Sequence, residues 1–152
     1  MIRNATMSDA RAILTLVNRN AREGLMLPKS PYAVYQAIPN FVVWEEDGAV
    51  AGCCRLAVVW NDLAEIASLA VRAEYRGRGI GRALVQSLSR RAADLKLKRL
   101  FTLTYQAGFF QKCGWSEVPR ASLPHKVFGE CLNCPKVDCC DERAFIWDVK
   151  AL

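Results

Sequence analysis

The sequence predicts an α/β protein: a mixed sheet, antiparallel first, then joined through a helical crossover to a parallel neighbour, with helices on its flanks. Two observations carry this. Residues 41–46 (FVVWEE) and 49–60 (AVAGCCRLAVVW) are apolar runs that meet at Asp47-Gly48, a pair that tolerates the positive φ of a tight hairpin. Farther on, Ile80, Leu84, Leu88, Ala92 and Leu95 recur at helical spacing, and an apolar strand-like run, RLFTLTY, follows at 99–105.

The elements follow in order. Ile2 to Ala5 reads as a short leading strand. Ser8 is placed to cap a helix whose apolar face holds Ile13, Leu14, Leu16 and Val17 and which ends near Gly24. A loop, LMLPKSP, is broken by Pro28 and Pro31, and a weaker helix covers Tyr32 to Ile38 before Pro39 stops it. After the hairpin, Asn61-Asp62 offers a second turn into a third strand, LAEIASLAV, at 63–71. Beyond the strand at 99–105, QAGFFQKC reads as a short helix, Gly114-Trp115 as a turn and AFIWDV as the last strand.

The chain has 152 residues, 52% of them apolar, which suits one domain spanning 1–152 with a sizeable core. No apolar run approaches the ~20 residues of a membrane span. Residues 1–8 lack a charged-then-apolar leader, so a cytoplasmic protein without membrane contact is expected. A net charge of +6 favours anionic partners, from nucleic acid to phosphorylated cofactors, without choosing among them. Seven cysteines, an odd number, with no export leader before them read as mostly reduced thiols.

The chemistry concentrates where the third strand turns into the long helix. Residues 76–82 (RGRGIGR) hold three glycines and three arginines. Gly77, Gly79 and Gly81 bare successive backbone N–H groups at the positive end of a helix, and Arg76, Arg78 and Arg82 add charge-assisted hydrogen bonds, an arrangement suited to a diphosphate. A solvated glycine-arginine turn is the plain alternative. A Rossmann loop fits poorly: it needs a first parallel βαβ unit and an acidic residue roughly 20 positions on. Here three antiparallel strands precede the loop, and Asp94 lies inside the following helix.

Arg76-x-x-Gly79-x-Gly81, preceded by EIASLAVRAEY and followed by an amphipathic helix, resembles the pyrophosphate-binding signature of the GNAT N-acetyltransferase superfamily. The strand order and the late segment FFQKCGW extend the resemblance over nearly the whole chain. It implies the GNAT acyl-CoA N-acyltransferase fold, with acetyl-CoA as cofactor and its pantetheine arm where two parallel strands, 63–71 and 99–105, splay apart. The coenzyme contacts it implies are the loop from Arg76 to Arg82 (Ile80 included), backbone amides at Leu69, Ala70 and Val71 as oxyanion donors, and Phe109 with Phe110. The stretches LMLPKS, FVVWEEDGAVAGCC, AEIASLAVRAEYRGRGIGRAL, LFTLTYQAGFF and LPHKVFGECLNCP are also similar to the stand-alone acetyltransferase domains of N-acetylglutamate synthases. That likeness implies acetylation of the L-glutamate α-amine, the first step of arginine biosynthesis. The amino-acid-kinase domain of longer synthases has no counterpart in this sequence, which leaves arginine control open.

Acetyl transfer to an amine needs a base for the nitrogen and donors for the oxyanion. Glu65 resembles the glutamate that serves as base in family members, and apolar flanks suit a carboxyl that accepts a proton near neutral pH. An exposed strand glutamate or half of an ion pair is the other reading. Many relatives carry a tyrosine acid before the glycine-aromatic turn, where this chain has Phe110; Tyr105 is the nearest phenol, either the acid or a packed aromatic. A dicarboxylate substrate needs fixed cations. Lys29 with Ser30 matches a basic residue followed by serine in the synthases, and Arg55 and Cys53 are further candidates for the acceptor pocket.

His125, Cys131, Cys134, Cys139 and Cys140 fall within sixteen residues, leaving zinc, free thiols and a disulfide all open. The acceptor could equally be a protein N-terminus, a lysine or a polyamine. A non-catalytic CoA-binding or nucleic-acid-binding module, the latter through Arg90, Arg91, Lys96, Lys98 and Arg99, is the reading from another class; without interleaved aromatics those charges read as a solvated face, and no nucleic-acid partner is expected. The expected partner is a small amino-acid substrate, with homodimer formation left open.

Overall fold

The computed structural model describes residues 1–124 and 141–149. One seven-stranded sheet organises them: β1 (Ile2–Asn4), β2 (Phe41–Glu46), β3 (Ala49–Trp60), β4 (Leu63–Val71), β5 (Arg99–Thr104), β6 (Ser116–Val118) and β7 (Arg143–Asp148), in the spatial order β1-β2-β3-β4-β5-β7-β6. All neighbours are antiparallel except β4 and β5, which run parallel because α3 (Ile80–Asp94) crosses between them. The mixed sheet expected from sequence is therefore the observed one.

Alternation along the strands sends neighbouring residues to opposite faces. Val42, Cys54, Leu56, Ile66 and Leu100 meet Ile80, Leu84, Leu88 and Ala92 of α3 on one face. Phe41, Val43, Cys53 and Ala70 meet Ile13, Leu16 and Val17 of α1 (Ala10–Arg22) and Val34 of α2 (Pro31–Ala37) on the other. A fourth short helix, α4 (Ala107–Lys112), follows β5.

Local capping corrects two expectations. Ser8 does not cap α1: it lies within a 3-10 turn (Met7–Asp9) that leads into the helix, and that turn is closed by Thr6 and Asp9, the Thr6 N–H donating to the Asp9 carboxylate at 2.8 Å and the Asp9 N–H to the Thr6 carbonyl at 2.9 Å. At the far end of α1, Gly24 adopts φ 76°, and the Leu25 N–H returns to the Asn20 carbonyl at 3.1 Å, the bond that ends a helix with a left-handed residue. The same device ends α3, where Lys96 at φ 62° lets the Leu97 N–H reach the Ala92 carbonyl at 3.0 Å. Leu97 thereby enters the core, and Leu95, expected on the buried face, is 53% exposed. β6, three residues paired with β7, had no expectation at all.

Candidate coenzyme site

The site begins where β4 and β5 part. Their parallel pairing holds for only three positions, Leu63 with Arg99, Ala64 with Leu100 and Glu65 with Phe101. One step on, the Thr102 hydroxyl donates to the Ile66 carbonyl at 2.8 Å, a side chain standing in for a ladder bond, and beyond it the strands have no pairing. β4 also carries a bulge. Cys53 and Arg55 of β3 face Ala70 and Ala67, so two steps on β3 match three on β4, and Ser68 takes up the difference at φ 53°.

The chain leaves β4 at Val71, makes a single 3-10 turn (Ala73–Tyr75) and enters α3 through the glycine loop. Gly77 and Gly79 sit at φ 78° and 80°, and the space a β-carbon would occupy on either is open, so conformation, not crowding, demands glycine there. Gly79 is the last residue before α3, and its carbonyl takes the first helical bond, from Ala83 N–H at 3.0 Å. Gly81 serves differently: a β-carbon on it would stand 3.2 Å from the Phe109 ring. The ring thus lies against the first turn of α3.

These elements enclose a cavity of about 400 Å³. Leu69, Val71, Ile80 and Phe109 give it an apolar wall, while Gly77, Gly79, Gly81, Arg76 and Arg82 bound its loop side. The glycine loop presents bare backbone at the positive end of a fifteen-residue helix, which suits phosphate oxygens, and the apolar wall suits an alkyl arm. The residues present therefore fit a coenzyme with a diphosphate and a pantetheine.

The arginines divide their work. Arg76 is tied inward: its Nε donates to the Val71 carbonyl at 3.1 Å and its guanidinium to Asn20 Oδ1 at 2.9 Å, with Glu23 at 3.3 Å. Its contact with the loop is thus one of bracing as well as charge. Arg78 stands over the Tyr75 ring at 5.2 Å, sharing it with Arg72 at 5.6 Å. Arg82 lines the cavity.

Several other sequence candidates fall elsewhere. Phe110 is 2% exposed and packs behind Phe109, edge to face with it and with Trp115, so Phe109 alone of the pair borders the cavity. Cys53, expected in the acceptor pocket, is fully buried under α1 and α2; burial pushes its thiol up to about 12, and its Sγ–H reaches the Ser68 carbonyl at 3.5 Å. Arg55 is buried on the same sheet face. Glu65 pairs with Ala57 across β3 and with Phe101 across β5, the last pair before the parting. Ala70 is buried within β4, and Tyr105 follows β5 directly. Ser30 caps α2 through its Oγ, which accepts from Ala33 N–H at 3.2 Å, and the Lys29 backbone is held from both sides by the Asn18 amide, at 2.9 and 3.1 Å.

Asn20, Leu25, Tyr75, Gln106, Lys112 and Cys113 line the cavity without having been singled out. Asn20 had a signal: it continues the buried stripe of Ile13, Leu16 and Val17, where a polar residue needs a partner. Burial raises the Cys113 thiol while Arg82 opposes the rise. The cluster of His125, Cys131, Cys134, Cys139 and Cys140 lies outside the described residues. Among the described residues, no group of three or more histidine, cysteine or acidic side chains is gathered to hold a metal, and no helix is long and apolar enough to cross a membrane.

Comparison with known proteins decides the family. The model of the acetyltransferase (GNAT) family matches residues 11–115. The chain belongs to the GNAT acetyltransferases. An uncharacterized N-acetyltransferase of Chlorobaculum tepidum is 39% identical over 145 residues, covering 95% of this chain and 94% of that protein. An amino-acid acetyltransferase of Mycobacterium tuberculosis is 38% identical over 133 residues, covering 86% and 76%. Longer amino-acid acetyltransferases also match; the chain spans only 29% of the one from Pasteurella multocida. Among solved structures, a Mycobacterium tuberculosis protein in complex with CoA superposes with a TM-score of 0.83 at 32% identity, covering 97% of this chain and 98% of that one. The N-acetylglutamate synthase of Neisseria gonorrhoeae reaches a TM-score of 0.88 at 24% identity over 98% of this chain and 35% of its own, a likeness of fold. This GNAT enzyme is thus an acetyl-CoA-dependent N-acetyltransferase.

Proposed function

We propose that this enzyme acetylates the α-amine of a small amino acid, L-glutamate first among them, by direct attack in a ternary complex, and so carries out the entry step of arginine biosynthesis. The observation that carries the reading is the place of Glu65, at the last parallel pair before β4 and β5 open toward the cavity. A carboxylate there serves as the base that takes the amine's proton, directly or through water. Backbone N–H groups at Leu69 to Val71, on the part of β4 that has left β5, serve the developing oxyanion. When bound, acetyl-CoA supplies an activated acyl group: a C–N bond forms, the C–S bond breaks and the thiolate needs a proton. Tyr105 is assigned to return it.

For the acceptor, Arg55 lies opposite Ala67, two residues along β4 from Glu65, on the face that packs α1 and α2. The connection between those two helices carries Lys29 and Ser30. A cation beside the base and a second on the loop between α1 and α2 suit an acceptor with carboxylates. The relatives named amino-acid acetyltransferases support the same acceptor class.

The test is acetyl-CoA turnover, followed by thiol release, against a panel of amino acids, polyamines, lysine-bearing peptides and peptide N-termini. Glutamate should give the highest kcat/KM; glutamate at the buffer rate beside a working polyamine or peptide would move the acceptor to that class.

A further inference from the structure

We infer that Arg82 and Lys112 together bind the 3′-phosphate of the coenzyme's adenosine, and that the enzyme therefore discriminates CoA from 3′-dephospho-CoA. The inference rests on the coenzyme lying in the cavity at the glycine loop, and it concerns an end of the coenzyme that the reading above does not use.

Two cations from different helices line that cavity. Arg82 follows Gly81 in the first turn of α3, and Lys112 closes α4, one turn after Phe109 and on the same side of the helix. The two helices meet at Gly81 and Phe109, where a β-carbon on the glycine would stand 3.2 Å from the ring. The Arg82 charge reaches the thiol of Cys113, the neighbour of Lys112. Neither cation has an ion pair or a hydrogen bond among the described residues, and no aspartate or glutamate is among the residues lining the cavity. By contrast, Arg76 gives its guanidinium to Asn20 and Glu23, and Arg72 pairs with Glu74. Like charges brought to one cavity without an acid repel one another, and a bound anion relieves them.

The chemistry of the coenzyme sorts its anions. CoA carries a diphosphate and, one ribose farther on, a phosphate monoester at the 3′ position. The bare loop amides at the start of α3 suit the diphosphate, and the apolar wall of Leu69, Val71, Ile80 and Phe109 suits the pantetheine. Lys112 belongs to neither group, because it comes from α4, beyond Phe109 along that helix. The monoester carries a charge of about −1.5 to −2 near neutral pH, so it is the single phosphate that gains most from two cations. Arg82 offers it a fork of N–H donors and Lys112 a point charge. Both residues are exposed, so the fold does not depend on them.

The test titrates CoA and 3′-dephospho-CoA calorimetrically into wild type, Lys112→Met, Arg82→Met and, as a marker of the cavity, Gly79→Val. Methionine keeps the reach of the side chain and removes its charge. Wild type should hold CoA about tenfold or more tighter than 3′-dephospho-CoA, on the order of two charge-assisted hydrogen bonds. Each methionine variant should lose CoA affinity several-fold, hold 3′-dephospho-CoA within about twofold and melt as wild type does. Gly79→Val should weaken both coenzymes alike. Equal wild-type affinity for the two coenzymes, or methionine variants that weaken both by the same factor, would overturn the inference while the loss in Gly79→Val kept the coenzyme in the cavity. Undiminished binding of both coenzymes by Gly79→Val would instead remove the coenzyme from the cavity, and this inference with it.

Discussion

Asn20 Oδ1 accepts a hydrogen bond from the Arg76 guanidinium at 2.9 Å, joining the buried face of α1 to the loop that leads into α3. Glu23 adds a longer, exposed contact to the same guanidinium at 3.3 Å. Two residues before Asn20 on the same helix, Asn18 fixes the Lys29 backbone. Asn20→Ala should raise the KM for acetyl-CoA several-fold, on the order of one lost charge-assisted hydrogen bond, and leave kcat at saturation within about twofold. Steady-state kinetics checks it; a lower kcat with KM unchanged would contradict the bracing role.

Glu65→Gln keeps the shape of the side chain and removes its basicity. Loss of a general base lowers kcat by about 10²-fold or more. CoA affinity should hold, since Glu65 does not line the cavity at the glycine loop. Turnover at the wild-type rate would exclude Glu65 as the base.

How much of this was legible beforehand divides by physical cause. The hairpin at Asp47-Gly48, the α3 face and the glycine loop were readable because turn chemistry and periodicity are local. The bulge at Ser68 was not: LAEIASLAV reads as an uninterrupted strand, and only the register against β3 shows the extra residue. Leu95 continues the helical period one residue past the end of α3, directly before Lys96 reverses the chain, so periodicity assigned to it the burial that belongs to Leu97. Cys53 was a strand residue next to a glycine, and sequence could not say that its face lies under α1 and α2. Arg76 carried a positive charge in the glycine loop, but its side-chain partners, Asn20 on α1 and Glu23 just past its end, sit more than fifty residues away.

The thiols supply a chemical probe of the cavity. Burial pushes the Cys53 thiol up to about 12 and raises Cys54 as well, while Cys113 is only partly buried and borders the cavity beside Arg82. Thiolate is the reactive form, so iodoacetamide should label Cys113 ahead of Cys53 and Cys54, faster as pH rises through the alkaline range. Added CoA should protect Cys113. Mass spectrometry reads each site, and labelling of Cys113 unaffected by saturating CoA would place the coenzyme elsewhere.

Acid stability turns on Asp9. Arg3 donates to both Asp9 oxygens, at 2.7 and 2.9 Å, and also to Glu45, tying β1 and the start of α1 to β2. That hydrogen bond from Arg3 holds the Asp9 carboxyl below the ordinary aspartate range, against burial, which acts the other way. A carboxyl depressed by folding contributes stability that is complete above its unfolded value and is lost as pH falls through its folded one. The melting temperature should therefore drop below about pH 4. Asp9→Asn should cost about 1–3 kcal/mol at neutral pH and flatten that acid limb, as thermal melts across pH would show. An unchanged limb would assign it to other carboxylates.

Calorimetric titration of coenzyme A into the wild-type protein and into Gly79→Val addresses the account at its centre. Gly79 stands at φ 80° directly before α3, where a β-branched side chain cannot hold the backbone that bares the loop amides. The account predicts saturable binding by the wild type and a loss of about tenfold or more in the variant, with the melting temperature of the coenzyme-free variant showing that it still folds. Equal affinity for CoA in the two proteins would contradict it.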